Sequence, residues 1–502
     1  MPTEIDSHTD DCGVHHTQPE SLVELLGNNY RGIAHKPAIV QVFKGQTVSW
    51  SWGEVIRAAL ELAARFESLG LCRGDLLVHV GKHSADFVVV DIACLLSGIV
   101  HVALHSSDTV LRLGDQVRWL SPQGFLVSGL GTPLEPFVNR CAQKSVILDM
   151  RPEARNRPTF GGLRRCVHSI GNLVSGTLLS KDSVALAEHN LHRATNACDP
   201  DTPSTVILSS GTSGEARGIV HSQRSLLRNA QACDAVFLES DNDLRLSWLP
   251  MSHAFGRIGD LYTAMIRGGC LGIVPDRREV LDAAKIVKPT VILGVPVFFD
   301  RLAQACCSGK IPSLAQSLGG CVRVCVSGGA SLKRGTQEVF MSRGVPLVEG
   351  YGLTEAGPVV ALSSPRVWRA GKVGKAVTGV ELTLTPDGEL LVRTPSRALA
   401  IIEPPVGFSS STNPAELFPP LPTTVTDNHT TAIDQAIVSN KTQKSDQGVR
   451  LLADGWLATG DTATIDSDGF VEITGRLSDM ITLSSGVKIA PSVVEACLSE
   501  DP

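Results

Sequence analysis

The chain has 502 residues, of which 43% are hydrophobic and 19% charged, and its formal net charge is -6. That is ample for a large core and too long for one compact domain, so roughly two to four domains or subdomains are expected. The weakly acidic balance, with no strong basic patch, argues against a nucleic-acid partner.

The first twenty residues are polar and acidic, with no secretory signal, and residues 1–20 read as a flexible leader. Within it Cys12, His15 and His16 are metal-type ligands, but their Asp, Thr and Ser neighbours fit a polar leader better. The thirteen cysteines are scattered, with no zinc-type C-x-x-C spacing. They are expected to be reduced thiols, mostly buried, in a cytoplasmic protein.

From Ser21 to about Thr378, helical patterns alternate with short β-rich runs. Val55–Leu69 has helical periodicity and is followed by a glycine stop. Leu76–Val80, Val146–Leu148, Thr205–Leu208, Val291–Leu293 and Val322–Val326 read as strands covered on both faces. The most apolar stretch, Phe87 to Leu104, contains Asp91, Gly98 and His101, which suit a buried helix and strand rather than a membrane span. Peripheral contact with a membrane surface stays open. Strands separated by helices predict an α/β architecture.

The texture changes at Gly379. Val380–Leu384 and Glu389–Arg393 flank Thr385-Pro386-Asp387-Gly388, a hairpin signal that predicts an antiparallel β-subdomain. Residues 403–450 are rich in Pro, Ser, Thr and Asn and read as an exposed, partly disordered insertion. Order is expected again from Gly455-Trp456.

The sharpest feature is the run from Thr205 to Gly218. A strand enters a loop of Ser209, Ser210, Gly211, Thr212, Ser213 and Gly214, with Arg217 just beyond. Small residues let backbone N–H groups approach an anion, hydroxyls add donors, and Arg217 adds fixed charge. Taken alone, the loop fits a polyphosphate cradle and a serine/glycine surface loop equally well. The Walker spacing is absent.

This loop resembles the phosphate-binding motif of the adenylate-forming (AMP-binding) superfamily, although Ala216 and Arg217 replace its usual proline and lysine. Further segments resemble the same superfamily in the same order. Trp248-Leu-Pro-Met-Ser-His-Ala-Phe-Gly-Arg257 is similar to the L-P-x-x-H-x-x-x-R segment of long-chain fatty acyl-CoA synthetases. Lys288–Phe299 is similar to the segment bordering their acyl pocket. Then come Ser327-Gly328-Gly329-Ala330, Gly350-Tyr351-Gly352-Leu-Thr354-Glu355, Gly455-Trp-Leu-Ala-Thr-Gly-Asp461 and Gly469–Arg476.

The resemblance implies site roles. Ser209 to Gly214 and Arg217 would hold phosphates, with Thr212 and Glu355 on Mg2+. His253 would sit near the carboxylate and α-phosphate. Ser327 to Ala330 would lie against adenine, Tyr351 would stack on it, and the flanking Gly350 and Gly352 would belong to the same nucleotide-binding turn. Thr354 would bond the α-phosphate region, Asp461 the ribose hydroxyls, and Arg476 ribose or phosphate. An aromatic face suits a purine, a hard cation takes carboxylate oxygen, and a carboxylate accepts two hydroxyl protons.

The implied fold has two α/β subdomains over residues 21–378, a β-barrel-like subdomain over 379–475, and a hinge and start of a C-terminal domain over 476–502. The implied reaction is ATP-dependent activation of a carboxylic acid, with a fatty acid expected, to acyl-AMP and then acyl-CoA. ATP, Mg2+ and CoA take part. Alternatives are transfer of acyl-AMP to a carrier-protein thiol and a non-catalytic nucleotide or acyl binder. The last is favoured by Arg217 and by Ser478, which stands where the family has Asp or Lys. The chain ends at Pro502, before the lid that the resemblance implies. The expectation is therefore ATP binding with poor adenylation, since losing one preorganised transition-state donor costs about 10²–10³ in rate.

Overall fold

The computed structural model describes residues 18–105, 110–128, 146–150, 165–167, 181–210, 216–237, 240–404, 449–452, 454–479, 481–482 and 488–489. The expected leader and metal-type ligands, almost all of the 403–450 insertion and the loop Gly211, Thr212, Ser213, Gly214 lie outside the described residues.

The short Val, Ile and Leu runs build two large sheets. The first has nine strands in the spatial order 375–376, 361–362, 347–351, 324–327, 291–294, 244–247, 270–273, 37–43 and 46–51. Its six central strands are parallel, and antiparallel strands close both ends. The second has eight strands in the order 400–402, 216–222, 203–210, 100–105, 76–81, 124–128, 146–149 and 165–167, parallel from 203–210 onward. Every strand expected within residues 76–326 is present. The runs were legible because both faces of a covered parallel strand are apolar.

Helices between these strands follow local rules. Trp52–Ser68 starts at a capping box, in which Ser51 Oγ accepts the Glu54 N–H and the Glu54 carboxylate accepts the Ser51 N–H. Ala85–Ser97 ends at Gly98, whose φ of 73° closes the helix in the left-handed region. One apolar core joins Phe87 and Ile92 of this helix to Ile258, Leu261 and Met265, which belong to a crossover of the other sheet. The two sheets thus share a packed boundary.

A third, five-stranded antiparallel sheet contains the expected hairpin. Glu381–Leu384 pairs with Glu389–Arg393, which pairs with Leu457–Ile465, and Arg450–Leu451 and Val471–Arg476 line the other edge of that long strand. Between these strands the chain returns once to the second sheet, where Ala400–Ile402 pairs with Gly218–Val220.

Among the described residues no helix is long and apolar enough to cross a membrane. Among the described residues no cysteine is in a disulfide; Cys94, Cys233, Cys306 and Cys325 are buried and Cys72, Cys307 and Cys321 are exposed, so fewer than half of the nine described thiols are buried where most were expected to be. The three exposed ones lie at helix ends and loops, where no core covers them.

Candidate active site

Three adjoining cavities open where the sheets meet, and Tyr351 and Gly352 line all of them. The first, of about 320 Å³, is mostly apolar and includes Ile207, Phe237, Leu293 and Val326 together with Ser209, His253, Gly328, Gly329, Gly350 and Thr354. The second, of about 510 Å³, is polar and is lined by Ser209, Arg217, Thr354, Glu355, Asp461 and Arg476. The third, of about 480 Å³, lies under Gly329, Ala330, Glu349 and Arg476.

The parallel strands explain this convergence. Val324–Ser327 and Leu347–Tyr351 run side by side, so the Ser327 to Ala330 loop and the Gly350 to Glu355 turn leave the same edge of the sheet. Tight turns keep the backbones close. A Cβ at Gly352 would meet the Pro358 carbonyl oxygen at 1.6 Å, so no side chain fits there. Gly329 holds a φ of +82°. Ser327 is buried beneath this loop, and its hydroxyl has no hydrogen-bond partner among the described residues.

The antiparallel sheet brings the polar wall. Asp461 and Arg476 are cross-strand partners. Arg476 Nε lies 3.1 Å from Asp461 Oδ1, and the Tyr351 hydroxyl donates to Asp461 Oδ2 at 2.6 Å. Burial raises the Asp461 carboxyl above its ordinary value, although the Tyr351 bond and the Arg476 charge oppose this. Glu355 is also buried. Desolvation raises its carboxyl too, against the nearby Arg217 and Arg476 guanidinium groups. Arg217 stands 3.9 Å from Glu403.

Antiparallel pairing of Pro203–Ser210 with Ala216–Ser222 sets Ser209 opposite Arg217. The strand that enters the glycine-rich loop is expected from the sequence, whereas its return as a second strand, with His221 on it, emerges only in the structure. On this strand His221 shares the face of Arg217, by the two-residue period. Its Nε2 contacts the Thr354 carbonyl oxygen at 2.8 Å, and burial lowers its pKa to about 4, so a neutral ring tethers the turn. Period-two spacing from Arg217 was the available signal.

His253 is exposed at the cavity rim, 6.0 Å between ring centroids from His105. Of the predicted residues, Ser209, Arg217, His253, Gly328, Gly329, Ala330, Gly350, Tyr351, Gly352, Thr354, Glu355, Asp461 and Arg476 therefore meet around one connected space. The side chain of Ser210 lies outside the description.

A family model for AMP-binding enzymes matches residues 29–399, well over half of the chain. The chain belongs to this family. Among similar proteins is the long-chain-fatty-acid–CoA ligase FadD15 of Mycobacterium bovis, 24% identical over 94% of this chain and 76% of that protein. A long-chain-fatty-acid–CoA ligase of Yersinia pestis is 26% identical over 95% of this chain and 80% of its own length. The fold is shared with solved structures. The anthranilate CoA ligase AuaEII in complex with anthranoyl-AMP superposes with a TM-score of 0.72 at 20% identity, covering 97% of this chain and 83% of its own. ATP-bound MatB from Rhodopseudomonas palustris gives 0.71 at 21% identity, covering 96% and 84%.

Proposed function

We propose that this AMP-binding enzyme is an acid–CoA ligase that activates a fatty acid. The observation that carries the reading is the junction at Tyr351 to Thr354, where an apolar cavity meets one lined by Arg217, Glu355, Asp461 and Arg476. A nucleotide fits the polar side. Asp461 accepts hydroxyl protons from ribose, Tyr351 presents an aromatic face, and the two arginines face phosphate. An acyl chain fits the apolar side, and the names of the curated relatives support a long-chain fatty acid.

In this reading a carboxylate oxygen forms a bond to the α-phosphorus of ATP, the bond to the β-phosphate breaks, and pyrophosphate leaves. The CoA thiolate then bonds the acyl carbon and AMP departs. His253, which lines the apolar cavity together with Ser209 and Thr354, orients the carboxylate. Arg217 offsets the charge that gathers on phosphate oxygen. Glu355 would hold Mg2+, which supplies further charge neutralisation. Glu355 fits that role as a largely buried carboxylate lining the polar cavity, since Mg2+ takes one or two carboxylates and completes its shell with phosphate and water.

The test is ATP–pyrophosphate exchange with octanoate, dodecanoate and hexadecanoate, followed by detection of the CoA thioester. Acid-dependent exchange and thioester formation are expected. Exchange that no acid stimulates, together with no binding of dodecanoyl-sulfamoyl adenosine, would sink the proposal.

A further inference from the structure

The helix carrying the pocket wall is not regular. After His253 it runs as an α-turn over Ala254–Gly256, a π-turn over Arg257–Tyr262, and an α-turn again over Thr263–Arg267. The π register is visible in its bonds. The Thr263 N–H reaches back to the carbonyl of Ile258, and the Thr263 hydroxyl does so at 2.9 Å. Such insertions are rare and cost regular hydrogen bonding.

Asp91 holds both ends of this π-turn. One carboxylate oxygen takes the Arg257 guanidinium, and the other accepts the Tyr262 hydroxyl at 2.8 Å. Arg257 Nε also donates to the Tyr262 hydroxyl at 3.1 Å. Residues five apart on an α-helix point about 140° away from each other, since each step turns about 100°. They meet on one carboxylate because the turn is wider here. Asp91 sits on the helix Ala85–Ser97 of the other sheet and is itself fixed from below. His101 Nδ1 lies 2.7 Å from it, His101 Nε2 lies 3.2 Å from His79 Nδ1, and His79 Nε2 lies 2.7 Å from Ser128 Oγ. All of these side chains are fully buried.

The opposite side of the same segment faces the substrate space. Ala254, Phe255 and Gly259 line the apolar cavity with His253. The Arg257 N–H donates to the His253 carbonyl at 3.0 Å. Phe255 packs so closely on the Ser327 to Ala330 loop that a Cβ at Gly328 would stand 3.0 Å from its ring. If the turn relaxed to α-helical register, residues on one side would rotate by about 100° relative to those on the other. Either His253 or Gly259 would then leave the cavity.

We infer that Asp91, through Arg257 and Tyr262, is a positioning residue that locks the π register and so holds His253, Phe255 and Gly259 against the acyl-adenylate. A buried ion pair is often no more stabilising than an apolar pair of the same size, so stability alone does not account for it. This inference rests on the acyl-adenylate reading of the site.

The test replaces both charges at once, D91L/R257M, which leaves no unpaired ion behind. Calorimetry compares dodecanoyl-sulfamoyl adenosine and ATP–Mg2+ on the whole chain, with circular dichroism and thermal melting as the folding check. The double variant is expected to melt near the wild type, to lose about tenfold to a hundredfold in affinity for the mimic, and to keep its affinity for ATP. A merely structural pair predicts unchanged binding of both, and that result in a folded double variant overturns the lock. Y262F, which removes one hydroxyl, supplies the same comparison if the double variant does not fold. It is expected to weaken the mimic and spare ATP, and unchanged mimic binding by Y262F likewise overturns the lock. A wild-type chain that binds ATP but not the mimic counts instead against the fatty acyl reading itself.

Discussion

Two clusters in this molecule are built from the same three side chains, an aspartate, a tyrosine and an arginine. In one, Asp91, Tyr262 and Arg257 are sealed, with side-chain exposures of 0–1%. In the other, Asp461, Tyr351 and Arg476 wall a cavity, with Arg476 60% exposed. The tyrosine-to-carboxylate bonds are alike, 2.8 and 2.6 Å. Their electrostatics are opposite. Burial would raise both carboxyls, yet Arg257, His101 and Tyr262 hold Asp91 down to about 2, whereas Asp461 stays raised because its partners do not offset its burial. A sealed guanidinium acts on its carboxylate with little screening, while one that faces water is screened. The first cluster spends its interactions inside the protein. The second keeps unmet demand on the side where a ligand would arrive.

The largest effect is expected at the sealed cluster. D91N leaves the Arg257 charge buried without its counterion, which costs about 3–5 kcal/mol. Urea denaturation at pH 7 measures it. The pH dependence has a definite sign. A carboxylate whose folded pKa is depressed gives stability that is present above its unfolded value and lost as pH falls through the folded one. The difference between wild type and D91N should therefore narrow as pH falls from the ordinary aspartate value toward about 2. A D91N chain as stable as the wild type at pH 7 would mean that the sealed cluster is not compensated as its geometry implies.

The contrast also marks what a sequence shows. The open cluster was legible through resemblance, since Tyr351, Asp461 and Arg476 each sit in a short glycine-rich segment similar to a motif of the AMP-binding superfamily. The sealed one was not. Asp91 and Arg257 are 166 positions apart, and Asp91 was informative in the chain only as a charge that bars a membrane span. The strands around residues 76–326 were legible because burial on both faces writes a continuous apolar run. The pairing of Pro37–Phe43 with Cys270–Ile273 and of Ala400–Ile402 with Gly218–Val220 was not, because pairing across 180 residues or more leaves no local trace. His221 fell between these cases, with a face fixed by period two but a contact set by a distant turn.

The next effect belongs to the open cluster and should appear in binding instead of folding. D461N removes a charged acceptor from the proposed ribose site, which costs about 1.5–3 kcal/mol, or roughly tenfold to a hundredfold in ATP affinity. Calorimetry with ATP–Mg2+ reads it. Without nucleotide the sign reverses relative to Asp91. A raised folded pKa means stability that is present at low pH and lost as pH rises through that value, so ionised Asp461 lowers stability in the free protein. D461N should melt at or above the wild-type temperature at pH 8. A strong drop in melting temperature with unchanged ATP affinity would make Asp461 a second structural cluster and erase the distinction.

The smallest effect tests whether a cation, and not burial itself, decides the direction. Glu349 is 4% exposed beside the third cavity and accepts the Leu332 N–H at 2.9 Å. Among the described residues no cation contacts it, and burial raises its carboxyl to about 7. It thus resembles Asp461 with the arginine taken away. Stability attributable to its protonated form should be present below the ordinary glutamate value and lost as pH rises through about 7. E349Q keeps the shape and an oxygen acceptor for Leu332 but cannot ionise. Melting temperatures at pH 6 and pH 8 should then differ less in E349Q than in the wild type, with the two proteins closest at pH 6. Equal pH dependence in both would show that water reaches this carboxylate, and that burial without a counter-charge does not set the behaviour of the open site.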